Sequence, residues 1–273
     1  CIGTWPNLHG KLAVAALRAG KHVLTEARMA RNLAEAEMML AESQLHPNLV
    51  AQVVPAPMSL AFDATVADIL AGGELGSLRE VHLTGTTDAL ADSSLPLSWR
   101  QDLTLSGKNT LQMGIYYEIA LRWLRRGVAS LVADAAIFTK ERKDEDGVPQ
   151  TTTIPESLTI LGAYGDGARL VAHFSGVERA APRGEIRLNG SKAGLRLDLL
   201  KGELGLTRAG EAEKLVDVAP EKRGSWLVEA DFIDSVREGK PVKLTDFATG
   251  VQYMQFTEAV WESWNAGGKR ISI

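Results

Sequence analysis

Apolar positions follow two different rhythms along this chain. Over residues 8–19, Leu8, Leu12, Ala15, Ala16 and Ala19 recur at helical spacing, and Gly20 supplies a C-terminal stop. Residues 22–25 read as a short buried strand and residues 32–45 as a second helix with Asn32 as its N-cap; residues 49–54 read as another short apolar strand. Cys1-Ile2-Gly3-Thr4 has the look of a strand's tail. Strand, helix, strand, helix, strand at this spacing is the rhythm of a parallel sheet with crossover helices, the second half of a doubly wound unit. Pro55-Ala56-Pro57 then stops both strand and helix and marks a boundary.

Beyond the boundary the rhythm changes. A helix is predicted over 59–71, closed by Gly72-Gly73. Strands are predicted over 78–87 and 128–139, with a helix over 108–124 between them. Residues 157–218 break into short strands separated by Gly165-Asp166-Gly167, Asn189-Gly190 and Lys201-Gly202, the pattern of a mostly antiparallel sheet. Two helices, 225–237 and 246–264, close the chain, the second capped by Asp246. The layout predicts residues 1–55 as half of a dinucleotide-binding unit and residues 56–273 as an α+β unit for substrate binding and oligomerisation. The charged run 140–147 reads as a plain solvated loop.

Composition narrows the function classes. Thirty basic against 34 acidic residues give a formal net charge of −4, which argues against a nucleic-acid or anionic-membrane surface. The single cysteine, Cys1, rules out an internal disulfide and points to a reducing cytoplasm. No apolar run approaches the ~20 residues of a membrane span. The five histidines are scattered without zinc-ligand spacing, so no metal site is expected.

Candidate chemistry sits in three places. Thr4-Trp5-Pro6-Asn7-Leu8-His9 joins a strand to a helix, where free N–H groups can meet a ribose or phosphate oxygen; the plainer reading is a turn with His9 capping its own helix. Glu26 stands at a strand's carboxyl end, where chemistry gathers in open α/β sheets and a carboxylate can accept from sugar hydroxyls. Arg28 is unfit as a general acid or base, yet it can place positive charge near a developing alkoxide. Asn109, Gln112 and Tyr116 fall at i, i+3 and i+7 of the predicted helix, beside Gly114, and form one polar stripe. Trp99-Arg100 precedes that helix, and the planar fork of Arg100 suits paired oxygens.

The segment Ala19-Gly20-Lys21-His22-Val23-Leu24-Thr25-Glu26-Ala27-Arg28 resembles the "AGKHVLxEKPxA" signature of the Gfo/Idh/MocA oxidoreductases. Thr4 to His9 resembles the family's "TPxxxH" loop beside the nicotinamide. Gln112-Met113-Gly114-Ile115-Tyr116 resembles its "DxGxH" motif, and Trp99-Arg100 its "WR" segment at the substrate pocket. Residues 186–198 and 232–242 resemble its scaffold hairpin and helix. The resemblance implies a partial Rossmann-type parallel α/β domain followed by an α+β domain with a large, mostly antiparallel sheet. It implies NAD or NADP held by Thr4, Trp5, Pro6, Asn7, His9, Glu26 and Arg28. A sugar, polyol or related carbonyl substrate would meet Trp99, Arg100, Asn109 and Gln112, with Tyr116 catalytic and the phenol aimed into the crevice. A homo-oligomer paired through the broad sheet is implied as well.

Two departures stand out. The family's lysine after the glutamate is replaced by Ala27, and Gln112 replaces its aspartate. A Gly-x-Gly-x-x-Gly turn for a pyrophosphate is absent. The start at Cys1 reads as a truncation, so the chain alone is expected to bind a dinucleotide poorly. The competing reading is a non-catalytic paralogue that binds a sugar-like ligand or a partner chain.

Overall fold

In the computed structural model, which describes residues 1–273, Pro6 starts the first helix two residues before the apolar spacing predicts. A proline's fixed φ suits the first helical position, where its missing N–H leaves no partner wanting. Helix α1 (Pro6–Arg18) buries Pro6, His9, Gly10, Ala13, Val14 and Leu17, while Leu8 and Leu12 are exposed. The expected Leu8/Leu12 face is therefore the outward one. Gly10 lets α1 lie close to the next helix: a Cβ there would stand 3.4 Å from the Met38 methyl and 3.6 Å from Glu35 Cβ.

Strand β1 (Val23–Thr25) is wholly buried, and helix α2 (Leu33–Leu45) carries the chain over to β2 (Ala51–Val53), which pairs with β1 in parallel. Asn32 caps α2 as predicted, accepting from Glu35 N at 3.0 Å. Ile2 bridges Thr25 in parallel on one side, and Asp246 bridges Gln52 antiparallel on the other.

Helix α3 (Asp63–Ala71) leads into β3 (Leu78–Thr86), the central strand of the large sheet. A long excursion through a short helix α4 (Leu103–Ser106) reaches helix α5 (Met113–Leu124). The strands β4 (Ser130–Ala136), β5 (Glu141–Lys143), β6 (Pro149–Thr151), β7 (Ser157–Ala163), β8 (Arg169–Ser175), β9 (Arg183–Gly190), β10 (Ala193–Asp198), β11 (Glu203–Arg208) and β12 (Lys214–Leu215) follow. Helices α6 (Val228–Glu238) and α7 (Phe247–Asn265) and strand β13 (Ile271–Ser272) complete the chain. Asp246 caps α7, accepting from Thr249 N at 2.7 Å.

Nine strands form one sheet in the order β12-β11-β10-β9-β3-β8-β7-β4-β13. Only β3 and β8 run parallel; the other pairs are antiparallel. Val81, Leu83, Leu170, Ala172, Phe174, Ile186 and Leu188 alternate onto the inner face, which joins a single core with α5 and α7. The opposite face is mixed, with ion pairs such as Arg187–Glu185 at 2.6 Å and the apolar Val132, Leu161 and Val171 side by side on β4, β7 and β8. The fold is a partial Rossmann-type α/β lobe followed by an α+β unit on a large mixed sheet. Helix α6 packs Val228 and Phe232 on Leu24 of β1, so the C-terminal segments return to the first lobe across the Pro55–Pro57 boundary. Glu118 of α5 accepts from Ala56 N at 2.9 Å and Thr245 Oγ1 at 2.7 Å, and pairs with Arg122; burial pushes its carboxyl up.

Three local expectations need correction. The predicted helix 108–124 begins only at Met113: Gly107 and Leu111 have φ of +64° and +49°, which a right-handed helix cannot hold. The turn predicted at Asn189-Gly190 falls at residues 191–192 instead, and Gly190 ends β9 where a Cβ would lie 2.0 Å from Leu75 O. The run 140–147 is not plain solvated loop. Its Arg142, on the β5–β6 hairpin, is fully buried against Glu156 at 2.9 Å.

Candidate active site

The loop after β1, residues 26–32, is wedged between two helices, and a glycine on each makes room for it. A Cβ on Gly114 of α5 would stand 2.7 Å from Arg28 Cδ; one on Gly250 of α7 would stand 2.4 Å from Met29 Sδ. Met29 N donates to the Tyr253 hydroxyl, Asn109 donates to Ala30 O at 2.9 Å, and Lys108 N donates to Arg31 O at 2.8 Å. The loop that follows a strand end is thus fixed residue by residue by the second domain.

Between this loop and the segment 98–115 lies a cavity of about 540 Å³, in the size range of small-ligand sites. It opens beyond the carboxyl end of β1, the place where open α/β sheets hold their ligands. Pro6, Ala27 and Arg28 reach it from the α/β lobe, and Trp99, Arg100, Asn109 and Gln112 from the other side. All four residues expected at the substrate therefore line one cavity. Trp5 does not line it but stacks on Trp99, ring centroids 6.1 Å apart, and joins the two lobes at its rim.

Asn109 stands in the turn before α5, not on a helical stripe. Its amide also donates to Ser106 O at 2.6 Å, and its Oδ1 is buried without a partner. Gln112 is the N-cap residue of α5, so that helix begins at the cavity wall, with Met113 N donating to Thr110 O at 3.2 Å and Ile115 N to Gln112 O at 3.1 Å. Arg28 has no ion pair, and its Nε is buried without a hydrogen-bond partner. Burial, reinforced by the nearby charge of Arg100, pulls its pKa down to about 10.

Two expected site residues serve elsewhere. His9 is fully buried, with Nε2 2.9 Å from Thr4 O and Nδ1 3.1 Å from Arg28 O. Both ring nitrogens face backbone carbonyls and the ring is fully buried, so His9 sits between the strand-end loop and the Arg28 loop with no edge open to a cofactor. Tyr116 is the second. Its ring lies on Gly85 of β3 and Gly184 of β9, a register pair whose missing side chains form a trough, and it meets Phe174 edge-on at 5.4 Å. A Cβ on Gly184 would stand 3.0 Å from the phenol oxygen, so the hydroxyl points along the sheet and not into the cavity. Burial and the charge of Asp198 push its pKa up to about 12. The helical stripe that suggested otherwise does not exist, because α5 starts after Gln112.

Of the remaining expected cofactor residues, Thr4 donates only to Trp5 O, at 3.2 Å, and Asn7 Oδ1 is buried without a partner. Glu26 is exposed on a smaller cavity of about 240 Å³ on the far side of Arg28. Sequence reasoning missed Ala27 as cavity lining and Arg142 as the support of the cavity's outer wall. Arg142 donates to Asp92 O, Leu95 O and Leu90 O at 2.6–3.1 Å, and Leu90 lines the cavity. No periodic signal marks a buried arginine inside a charged run.

Comparison with known proteins agrees with this division. A family model described as "Oxidoreductase family, NAD-binding Rossmann fold" matches residues 1–53, and one described as "GFO/IDH/MocA C-terminal domain" matches residues 64–196. A dTDP-3,4-didehydro-2,6-dideoxy-α-D-glucose 3-reductase of Streptomyces antibioticus is 28% identical over 262 residues, 93% of this chain and 74% of that protein. Levoglucosan dehydrogenase of Pseudarthrobacter phenanthrenivorans is 30% identical over 110 residues, 40% of this chain and 28% of that protein. An inositol dehydrogenase homologue of Azotobacter vinelandii, solved with NAD+, superposes with a TM-score of 0.85 at 19% identity, covering 99% of this chain and 77% of that one. The two family models lie on either side of Pro55–Pro57, one ending at residue 53 and the other starting at residue 64: the chain belongs to the Gfo/Idh/MocA family of oxidoreductases.

Proposed function

We propose that this protein is an NAD(P)-dependent oxidoreductase that oxidises or reduces a sugar, polyol or related carbonyl compound in the cavity between its two lobes. One observation carries the reading: the residues expected to meet a substrate, drawn from two separate segments, converge with Arg28 on one cavity beyond the end of β1. The relatives' names support the substrate class, and the family's description supports the cofactor.

The chain offers a partial fit to the dinucleotide. The turn at Gly3–Pro6, open around Gly3 and leading into the N-terminus of α1, suits the nicotinamide end. No Gly-x-Gly-x-x-Gly turn is available for the pyrophosphate. When bound, the nicotinamide carries the hydride. The protein's share is positioning and charge: Asn109 and Gln112 orient hydroxyls, and Arg28 stabilises the oxygen that bears negative charge as the C–H bond breaks. Tyr116 acts here as a positioning residue behind Gln112. With no Asp, Glu, His, Lys or Tyr in the lining, the hydroxyl proton leaves through water or substrate hydroxyls.

That same lack favours the second reading, a non-catalytic binder. The test is NAD(P)H absorbance on incubating the protein with NAD+ or NADP+ and a panel of sugars and polyols. Reduction with at least one substrate is expected; none with either cofactor, alongside measurable sugar binding, would leave the binder. Assembly belongs to the same reading. Val132, Leu161 and Val171 stand side by side on the outer face of the sheet, and Leu161 is 42% exposed. This supports a homo-oligomer paired across that face, and light scattering that gives a monomer at micromolar concentration would reject it.

A further inference from the structure

The cavity is lopsided in charge. Its lining holds two guanidiniums, Arg28 and Arg100, and no acidic side chain. Three arginines elsewhere whose side chains are largely withdrawn from water are paired. Arg142 meets Glu156, Arg122 meets Glu118 and Asp63, and Arg196 meets Glu213. An arginine removed from water without an acid is costly, so buried cations are normally paired.

Arg28 is half-buried, with no ion pair, in a built setting. Its stem crosses Gly114, its Nε is buried without a partner, and its backbone is fixed by His9. Arg28 also borders the smaller cavity, which Glu26 and Glu118 line, but neither acid pairs with it: Glu118 is held by Ala56, Thr245 and Arg122, and Glu26 is exposed. Arg100 is held differently. Its guanidinium carbon lies 4.2 Å from the centre of the Trp99 ring, so stacking fixes the plane and leaves the N–H edge free. The start of α5 at Gln112 adds the partial positive charge of a helix N-terminus to the same wall. Two unpaired forks and a helix N-terminus around one volume form a receptor for negative charge.

We infer that the substrate of this cavity is an anion, a monosaccharide-sized sugar or polyol bearing a carboxylate or phosphate group that Arg28 and Arg100 grip. This deepens the oxidoreductase reading and rests on it for the word substrate. The volume of about 540 Å³ suits a sugar acid or sugar phosphate better than a sugar carried on a nucleoside diphosphate. Asn109 and Gln112 are left to read hydroxyls.

The test is isothermal titration of the purified protein, without nucleotide, with D-gluconate, D-glucose 6-phosphate and D-glucose. At least one anionic probe is expected to bind ten times or more tighter than glucose, with the advantage shrinking as salt is raised. Whichever anion binds more tightly identifies the carboxylate or the phosphate as the group recognised. Arg28→Gln should abolish the preference. Gly114→Ala, which keeps every charge but pushes a Cβ into the Arg28 stem, should weaken it. Equal or tighter binding of glucose, no binding of any probe, or a preference that survives in both Arg28→Gln and Arg100→Gln overturns the proposal. An Arg28-dependent anion preference without hydride transfer would sink the oxidoreductase reading alone; turnover of neutral sugars with no anion preference would sink this one alone.

Discussion

Arg28 reaches the cavity across Gly114 of α5, with its Nε buried and without a hydrogen-bond partner and with no ion pair to Glu26 or Glu118 beside it. The strand-end motif already marks it as a placed charge. A half-buried charge without an ion pair should cost stability that function recovers. Methionine keeps the unbranched stem that lies over Gly114 and removes the charge. Arg28→Met is therefore expected to raise Tm by about 2–6 °C, in the range of single stabilising changes. Calorimetry measures it, and a lower Tm would mean that Arg28 has a partner in solution. Tyr116 teaches the opposite lesson. Its motif position was readable, but two glycines on neighbouring strands, 99 residues apart in sequence, decide where its ring lies.

At the scale of elements, the α/β rhythm, the two capped helices α2 and α7 and the strand-rich middle were all legible from periodicity and cap chemistry. Helical spacing runs five residues beyond the start of α5, because Lys108–Gln112 is held in a turn by tertiary contacts, Trp261 donating to Lys108 O at 2.7 Å among them. The β5–β6 hairpin is the other miss, and it has a consequence. Arg142 ties the hairpin to the segment 90–95 that walls the cavity, and Glu156 accepts from Phe138 N and Thr139 N at 2.8 Å. Arg142→Met strands the Glu156 carboxylate. It should cost about 3–5 kcal/mol in urea unfolding, with faster amide exchange concentrated in residues 88–98. A loss under 1 kcal/mol with unchanged exchange would show that the wall stands without it.

Across the whole molecule, all four tyrosines are buried and titrate high: Tyr116 near 12, and Tyr117, Tyr164 and Tyr253 further up, in each case chiefly through burial. Unfolded phenols ionise near 10. Above that pH the unfolded chain holds fewer protons than the folded one, so stability falls as pH rises, by about 1.4 kcal/mol per phenol per pH unit. Arg28 works the other way: its folded pKa of about 10 lies below the free value, so it returns a similar amount above pH 10. The net slope, about 4 kcal/mol per pH unit, should unfold the protein cooperatively near pH 11–12, with phenolate absorbance and loss of ellipticity coinciding. Phenols that titrate near pH 10 while ellipticity holds would contradict it. Whether hydride transfer takes place in the Arg28-lined cavity is decided by kcat/KM of the protein and its Arg28→Gln variant on the best substrate. The expected result is a loss of about 10²-fold or more with NAD(P)H affinity changed less than about threefold. Unchanged kcat/KM in Arg28→Gln would place the chemistry elsewhere.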